Sequence, residues 1–267
     1  MFRTRLVSGI FLAILTLFLI ITGGSVLLLA VGIVSLIGLY ELFRVFHIEK
    51  TVLGLIGYLS VIFYYSNLYF KFMEDGFFMA VLLVLAVMTI YVITYPKFHT
   101  EQIMAAFFCV IYVAVMISYV YQTRQLEQGA FLVFLIFISS WGCDTCAYCV
   151  GMLIGKHKLA PVLSPKKSIE GAIGGVVGAA FFTLVYGLII RNYVALTIEF
   201  MGMMVLIGTI GAVISQIGDL SASAIKRNYE IKDYGKLIPG HGGIMDRFDS
   251  VFFTAPFVYY LSILLIK

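Results

Sequence analysis

At 267 residues, 62% of them hydrophobic and only 12% charged, the chain falls outside the range of ordinary soluble domains, in which about a quarter of residues are charged. Apolar runs of about 20 residues recur along its whole length, each sufficient to cross a hydrocarbon core of roughly 30 Å. Their continuous rather than alternating hydrophobicity excludes a transmembrane barrel, and the modest net charge of +4 carries no nucleic-acid footprint.

The expected fold is all-α, a polytopic membrane helical bundle of nine spans, at about 7–22, 25–43, 52–70, 77–95, 102–121, 129–150, 171–190, 200–217 and 251–266. Turn or polar residues separate the early spans: Gly23-Gly24, Arg44 to Lys50, Glu74-Asp75-Gly76, Pro96 to Glu101 and Gln122 to Gln128. Residues 1–26 resemble a signal peptide in having Arg3 and Arg5 ahead of an apolar core, but no small-x-small cleavage site follows, and the segment is expected to be retained as the first membrane helix. The chain is expected to divide into N-terminal membrane helices (1–128) and a catalytic membrane region (129–267) with polar loops at 156–170 and 218–250.

With the N-terminus in the cytoplasm, 14 of the 18 basic residues fall on inner segments and only Lys71, Arg124, Arg191 and Lys267 on outer ones. This is the asymmetry of the positive-inside rule. Two spans separate the two polar loops, so both are expected on the cytoplasmic face.

The greatest concentration of charge lies between Asp219 and Asp249: five acids (Asp219, Glu230, Asp233, Asp246, Asp249) and five bases (Lys226, Arg227, Lys232, Lys236, Arg247). Charge is costly beside a bilayer, and a dense mixed-sign cluster there marks function. Ser215, Asp219, Ser223, Lys226 and Arg227 share one side of a helix, provided the eighth span continues past the membrane surface. Asp246 and Asp249 are three apart where the ninth begins. Asp219 and Asp246 are therefore expected to hold a divalent cation, with oxygen ligands and substrate phosphate suited to Mg2+. Gly240, Gly242 and Gly243 flank His241 and permit the close backbone approach of a phosphate-cradling loop.

The earlier loop carries Lys156, Lys158, Lys166 and Lys167 against Glu170, a cationic rim for anionic headgroups or a triphosphate. Gly151 to Lys156 is one residue short of a phosphate-binding loop motif and is rejected. Asp144, inside an apolar span, is expected to line a polar cavity. Cys143, Cys146 and Cys149, like Cys109, are read as reduced packing residues rather than a metal site. Two Gly-x-x-x-Gly pairs, Gly171/Gly175 and Gly174/Gly178, favour close helix packing within the bundle or across a homodimer.

These residues resemble the phosphatidate cytidylyltransferase (CDP-diacylglycerol synthase) family. The 27 residues from Ser223 to Asp249 follow its signature: Ser223-x-Ile-Lys-Arg227, Lys232-Asp233-x-Gly235, then Leu-Ile-Pro-Gly-His-Gly-Gly-Ile-x-Asp-Arg-Phe-Asp249. The stretch Asp144-Thr-x-Ala-Tyr148, Gly155-Lys, Ser164 to Gly171 and Arg3-Thr-Arg5 also resemble the family. Cys146 and Ser168 depart from it, standing where glycine and threonine are usual.

The resemblance implies CTP and phosphatidate as substrates and CDP-diacylglycerol and pyrophosphate as products. It implies Mg2+ on Asp219 and Asp246, with Asp249 as a ligand or second-shell acceptor. Lys226, Arg227, Lys232, Lys236 and Arg247 would hold phosphate groups, and His241 with Gly242 and Gly243 would shape their pocket. Ser223, Asp233, Asp144, Lys166 and Lys167 complete the expected substrate contacts. Whether a monovalent cation joins Mg2+ is left open, as is a homodimer. Rival readings are a CTP-dependent enzyme acting on an ether lipid or polyprenol, and a transporter; the clustering of charge on one face argues against the latter.

Overall fold

The computed structural model describes residues 2–73, 76–194 and 197–265, and the side chains of 2–5, 192 and 194 are outside the description. Arg3 and Arg5 as side chains, the Glu74-Asp75 break, residue 266 and Lys267 therefore lie outside the described residues. Nine long helices are present among those described: α1 (Phe2–Thr22), α2 (Gly24–Val45), α3 (Val52–Phe70), α4 (Gly76–Thr94), α5 (Thr100–Arg124), α6 (Gly129–Ile154), α7 (Ile169–Val194), α8 (Ile198–Asn228) and α9 (Met245–Leu265). Eight are long and apolar enough to cross a membrane, and α1 contributes a shorter apolar stretch, Leu6–Thr22. The protein is a polytopic helical membrane protein, as its hydropathy predicts.

Three features extend the sequence reading. Helix α8 runs to Asn228, so the condition set on the eighth span is met. Its 31 residues rise about 46 Å at 1.5 Å each, more than a hydrocarbon core requires. The charged end of α8 can therefore stand clear of the lipid tails while remaining helical. Helix α9 begins at Met245, so Asp246 lies in its first turn.

The loop at 156–170 is ordered as an antiparallel hairpin, β1 (Lys158–Ala160) and β2 (Ser164–Ser168). Its base is tied by Glu170, which accepts from the backbone N–H of Lys156 (3.1 Å) and His157 (3.2 Å) and pairs with the His157 ring at 2.6 Å.

The chain packs as two compact units. The first comprises Met1–Ser118 and Asp233–Arg247, the second Tyr119–Lys232 and Phe248–Lys267. In the first, α2 is the central helix, with Leu39, Leu42 and Phe43 fully buried. Gly57 of α3 admits the Phe43 ring, where a Cβ would come within 2.5 Å. Helix α5 contains a π-helical stretch, Val110–Val115, a local widening that leaves a carbonyl outside the regular ladder. The Ala114 carbonyl in that stretch accepts from the Tyr65 hydroxyl (3.1 Å), which pairs in turn with Ser35 of α2 (2.6 Å). A buried polar chain thus links three helices, with every member hydrogen-bonded.

In the second unit the closest approach is between α6 and α7. A Cβ on Gly174 would meet Val150 at 2.6 Å, on Gly175 the Cys143 carbonyl at 2.9 Å, and on Gly178 the Cys146 sulfur at 2.4 Å. Both Gly-x-x-x-Gly pairs therefore serve this intramolecular contact, in which small residues let helix backbones come together without a hydrophobic driving force. Cys143 is buried in that seam and Cys149 is exposed, and all four cysteines are free thiols. Ser139, in a second π-helical stretch at Ile138–Gly142, donates to the Gly208 carbonyl of α8 (3.1 Å). Gln216 of α8 donates to the Ala172 carbonyl of α7 (2.9 Å).

Gly178→Ala is expected to lower stability by about 1–3 kcal/mol through overpacking. Gly202→Ala, at a position with nothing within 4 Å, should leave it unchanged or slightly raised. Thermal unfolding of the two variants in detergent checks the contrast.

Candidate active site

Two groups of charged residues emerge, one in each unit. In the second unit the polar end of α8 carries Ser215, Asp219, Ser223 and Lys226 at helical spacing, with Ser215 and Ser223 buried and Asp219 partly so. Gly218 brings α8 against α9: a Cβ there would lie 2.9 Å from the Asp249 carbonyl oxygen and 3.0 Å from Phe253. This close approach sets Asp249 within electrostatic range of Asp219, Asp144 and Lys226. The backbone N–H of Ser250 donates to Asp249 Oδ1 (2.8 Å) and its hydroxyl to Asp144 Oδ2 (3.4 Å), so one residue of α9 steadies two of the acids.

The hairpin closes onto the same helix. Lys167 forms an ion pair with Asp219, and Arg227 Nε donates to the Leu163 carbonyl in the hairpin turn (3.2 Å). Lys166, Arg227 and Lys232 are exposed. Three carboxylates and two ammonium groups thus share a small region. The acids need counter-charge, and Lys167 supplies part of it.

In the first unit the glycine loop is a built structure rather than a flexible tether. His241 N–H donates to the Ile238 carbonyl (2.9 Å), closing a turn with Pro239 second and Gly240 third at φ 77. Proline fixes the first central torsion and glycine supplies the left-handed second one, the arrangement of a type II turn. Ile238 N–H donates to the Gly242 carbonyl (2.8 Å).

Gly242 itself has φ 88, and a Cβ there would come 2.7 Å from Asp246 Oδ2. That oxygen accepts from the N–H groups of Tyr234 (2.8 Å) and Gly243 (3.0 Å). His241 Nδ1 pairs with Ser8 Oγ of α1 at 2.7 Å, and the Ser8 hydroxyl also reaches the Pro239 carbonyl (3.1 Å). The Ser8 hydroxyl thus joins the histidine ring to the Pro239 carbonyl. Arg247, partly buried, follows Asp246 in the first turn of α9, whereas Asp233 and Lys236 are exposed at the start of the loop.

Residues that sequence reasoning passed over complete this loop. Glu41 of α2, only 4% exposed, accepts from the N–H groups of Ile244 (3.1 Å) and Met245 (2.9 Å). Arg44, counted only as an inner-face charge, donates to the Tyr234 carbonyl. Ser8 and Ser250 were likewise unmarked. The signal for Glu41 was present, an acid inside an apolar span, and it is the same signal that marked Asp144.

Comparison with known proteins places this membrane-embedded helical scaffold in the nucleotidyltransferase class. The chain belongs to the cytidylyltransferase family, whose model matches residues 3–265. It is similar to the phosphatidate cytidylyltransferase of Bacillus subtilis (strain 168), 36% identical over 97% of each chain. It is also similar to those of Staphylococcus aureus (strain COL), 35% identical over 99% of each, and Staphylococcus epidermidis (strain ATCC 12228 / FDA PCI 1200), 33% over 99% of each.

Gly242→Ala must force a side chain into left-handed backbone at a cost of about 1–2 kcal/mol and against the Asp246 carboxylate. Nucleotidyl transfer is expected to fall at least about 10-fold, since misplacement of a positioned group costs rate steeply. Gly76→Ala, with open space around it, should retain full activity in the same assay.

Proposed function

We propose that the protein transfers the cytidylyl group of CTP to phosphatidate, giving CDP-diacylglycerol and pyrophosphate, at the cytoplasmic face of the membrane. The observation that carries this reading is the end-to-end similarity to phosphatidate cytidylyltransferases, over a chain whose charged residues gather where phosphates would need neutralising. The 14-to-4 distribution of basic residues supports the cytoplasmic orientation.

The chemistry asks little of a general base. A phosphomonoester has a second pKa of about 6, so the lipid phosphate is already an anionic oxygen nucleophile. That oxygen attacks the α-phosphorus of CTP, and the bond from the α-phosphorus to the bridging oxygen of the pyrophosphate breaks. The protein must align these groups and neutralise their charge.

The carboxylates of the second unit suit a hard cation by their donor chemistry. Among the described residues no three His, Cys, Asp or Glu side chains converge as a ready-made cage; Mg2+ commonly takes one or two carboxylates together with water and substrate phosphate. Asp219 and Asp249 are the residues proposed to hold it, with Asp144 beside them. Bound there, Mg2+ would neutralise and orient the phosphates.

Asp246, also expected as a ligand, commits Oδ2 to two backbone N–H groups, and its first role here is to hold the loop. The glycine loop with His241 and Arg247 is proposed to receive the triphosphate. Lys167, paired with Asp219, is proposed to exchange that partner for a substrate phosphate, with Lys226 adding positive charge. Arg227, Lys232, Lys236 and Lys166, being exposed, are assigned to drawing anionic substrate toward the site.

Detergent-purified protein supplied with phosphatidate, Mg2+ and CTP labelled on the α-phosphate is expected to label an organic-extractable lipid. Asp219→Asn should lower that rate at least about 100-fold, the scale seen when one electrostatic partner of a transition state is removed, while the protein stays monodisperse. Undiminished activity in Asp219→Asn would sink the metal assignment. Label passing only to an ether lipid or polyprenol would replace the acceptor and keep the reaction class.

A further inference from the structure

Glu41 is a carboxylate on an apolar helix, and none of the chemistry above uses it. It is buried, and both of its oxygens are engaged: Oε1 by the N–H of Ile244 and Oε2 by the N–H of Met245. These two donors stand at the start of α9, where the first N–H groups of a helix have no partner within the helix and the helix dipole favours negative charge.

The fit is tight on the opposite side as well. A Cβ on Gly235 would lie 2.1 Å from Glu41 Oε1, and a Cβ on Gly243 would lie 2.3 Å from each carboxylate oxygen. Two glycines of the signature thus leave room for this acid, and a side chain at either would have to displace it. One turn further along α2, Arg44 donates to the Tyr234 carbonyl, while the N–H of the same residue donates to Asp246. Tyr234, fully buried, has both backbone polar groups held by side chains.

We propose that Glu41 is a positioning residue for the cytidylyl-transfer reaction. Its carboxylate clamps the start of α9 and the Gly243 backbone, so that the glycine loop is held in the shape that receives the triphosphate. This rests on the assignment of CTP to that loop under Proposed function. Glu41 does not touch substrate; it acts through residues 243–245. The bidentate grip explains why an acid, rather than an amide, is needed: glutamine offers one acceptor oxygen and turns an NH2 group toward a backbone N–H. Aspartate keeps both oxygens and the charge but is one methylene shorter.

The test compares the full-length wild type with Glu41→Gln and Glu41→Asp in detergent, measuring KM for CTP and for phosphatidate, and deuterium uptake in the peptide spanning 234–248. Glu41→Gln is expected to raise KM for CTP about 10-fold, the effect of weakening one charge-assisted hydrogen-bond set, and to leave KM for phosphatidate within about 2-fold. Uptake in 234–248 should rise while the rest of the protein is unchanged. Glu41→Asp should recover part of the loss.

A purely structural role would reduce the amount of active enzyme without moving KM, so an unchanged KM for CTP overturns the proposal. Failure of Glu41→Gln to yield folded, monodisperse protein also overturns it, because Glu41 would then be a folding residue. A wild type that makes no product would overturn the functional reading alone; the clamp would then stand or fall on the uptake of 234–248.

Discussion

In a bilayer, a backbone N–H or a carboxylate left without a partner costs several kcal/mol, and the polar architecture of this protein follows from that constraint. Several of the buried acids and the irregular segment beside the apolar helices are tied to named partners. Glu41 takes two helix-start N–H groups, and Asp246 takes two loop N–H groups. Ser250 donates to both Asp249 and Asp144. The non-helical segment from Tyr234 to Ile244 is tolerated because side chains from α2 and α9 replace the hydrogen bonds that a helix would have made internally. The loop is accordingly a fixed cradle, and its glycines leave room for what presses against them.

The two groups of candidate functional residues reach order by different means. In the first unit order comes from hydrogen bonds to backbone, which define a shape with little freedom. In the second it comes from charge balance and close helix packing: Gly218 allows α8 to meet α9, and Lys167 from the hairpin offsets Asp219. A shape fixed by backbone hydrogen bonds suits recognition of a phosphate chain, whereas an ion pair that can exchange partners suits a step in which charge moves. The β-hairpin joins the two requirements in one motif. Glu170 staples its base, and Lys167 and Leu163 dock it on α8, so a segment that reads as a basic loop delivers a lysine to a defined place.

Much of the candidate site was legible from composition. A mixed cluster of five acids and five bases in an otherwise apolar chain argues against a simple juxtamembrane anchor, and the spacing of Asp219, Ser223 and Lys226 foretold their shared helix face. The Gly-x-x-x-Gly pairs announced close packing, and the structure assigns it to α6 against α7. The hairpin was not legible, because its strands are three and five residues long and are held by Glu170 rather than by an alternating pattern. The importance of Glu41 was also missed, since one acid in a span of 22 residues does not disclose its partner.

What the sequence by itself determined is the class of structure and the chemistry on offer: a helical membrane bundle, with eight helices among the described residues long and apolar enough to span, and phosphate chemistry, from the residue types in the signature. Both are local properties, written in consecutive residues and governed by transfer free energy and helical spacing. What only the tertiary structure decided is which groups meet. Glu41 and Ile244 lie 203 residues apart, Ser8 and His241 233 apart, and Lys167 and Asp219 52 apart. No periodicity connects such positions. Their pairing follows from how the helices pack, because only the packed state brings these buried or half-buried groups to the partners that offset their desolvation.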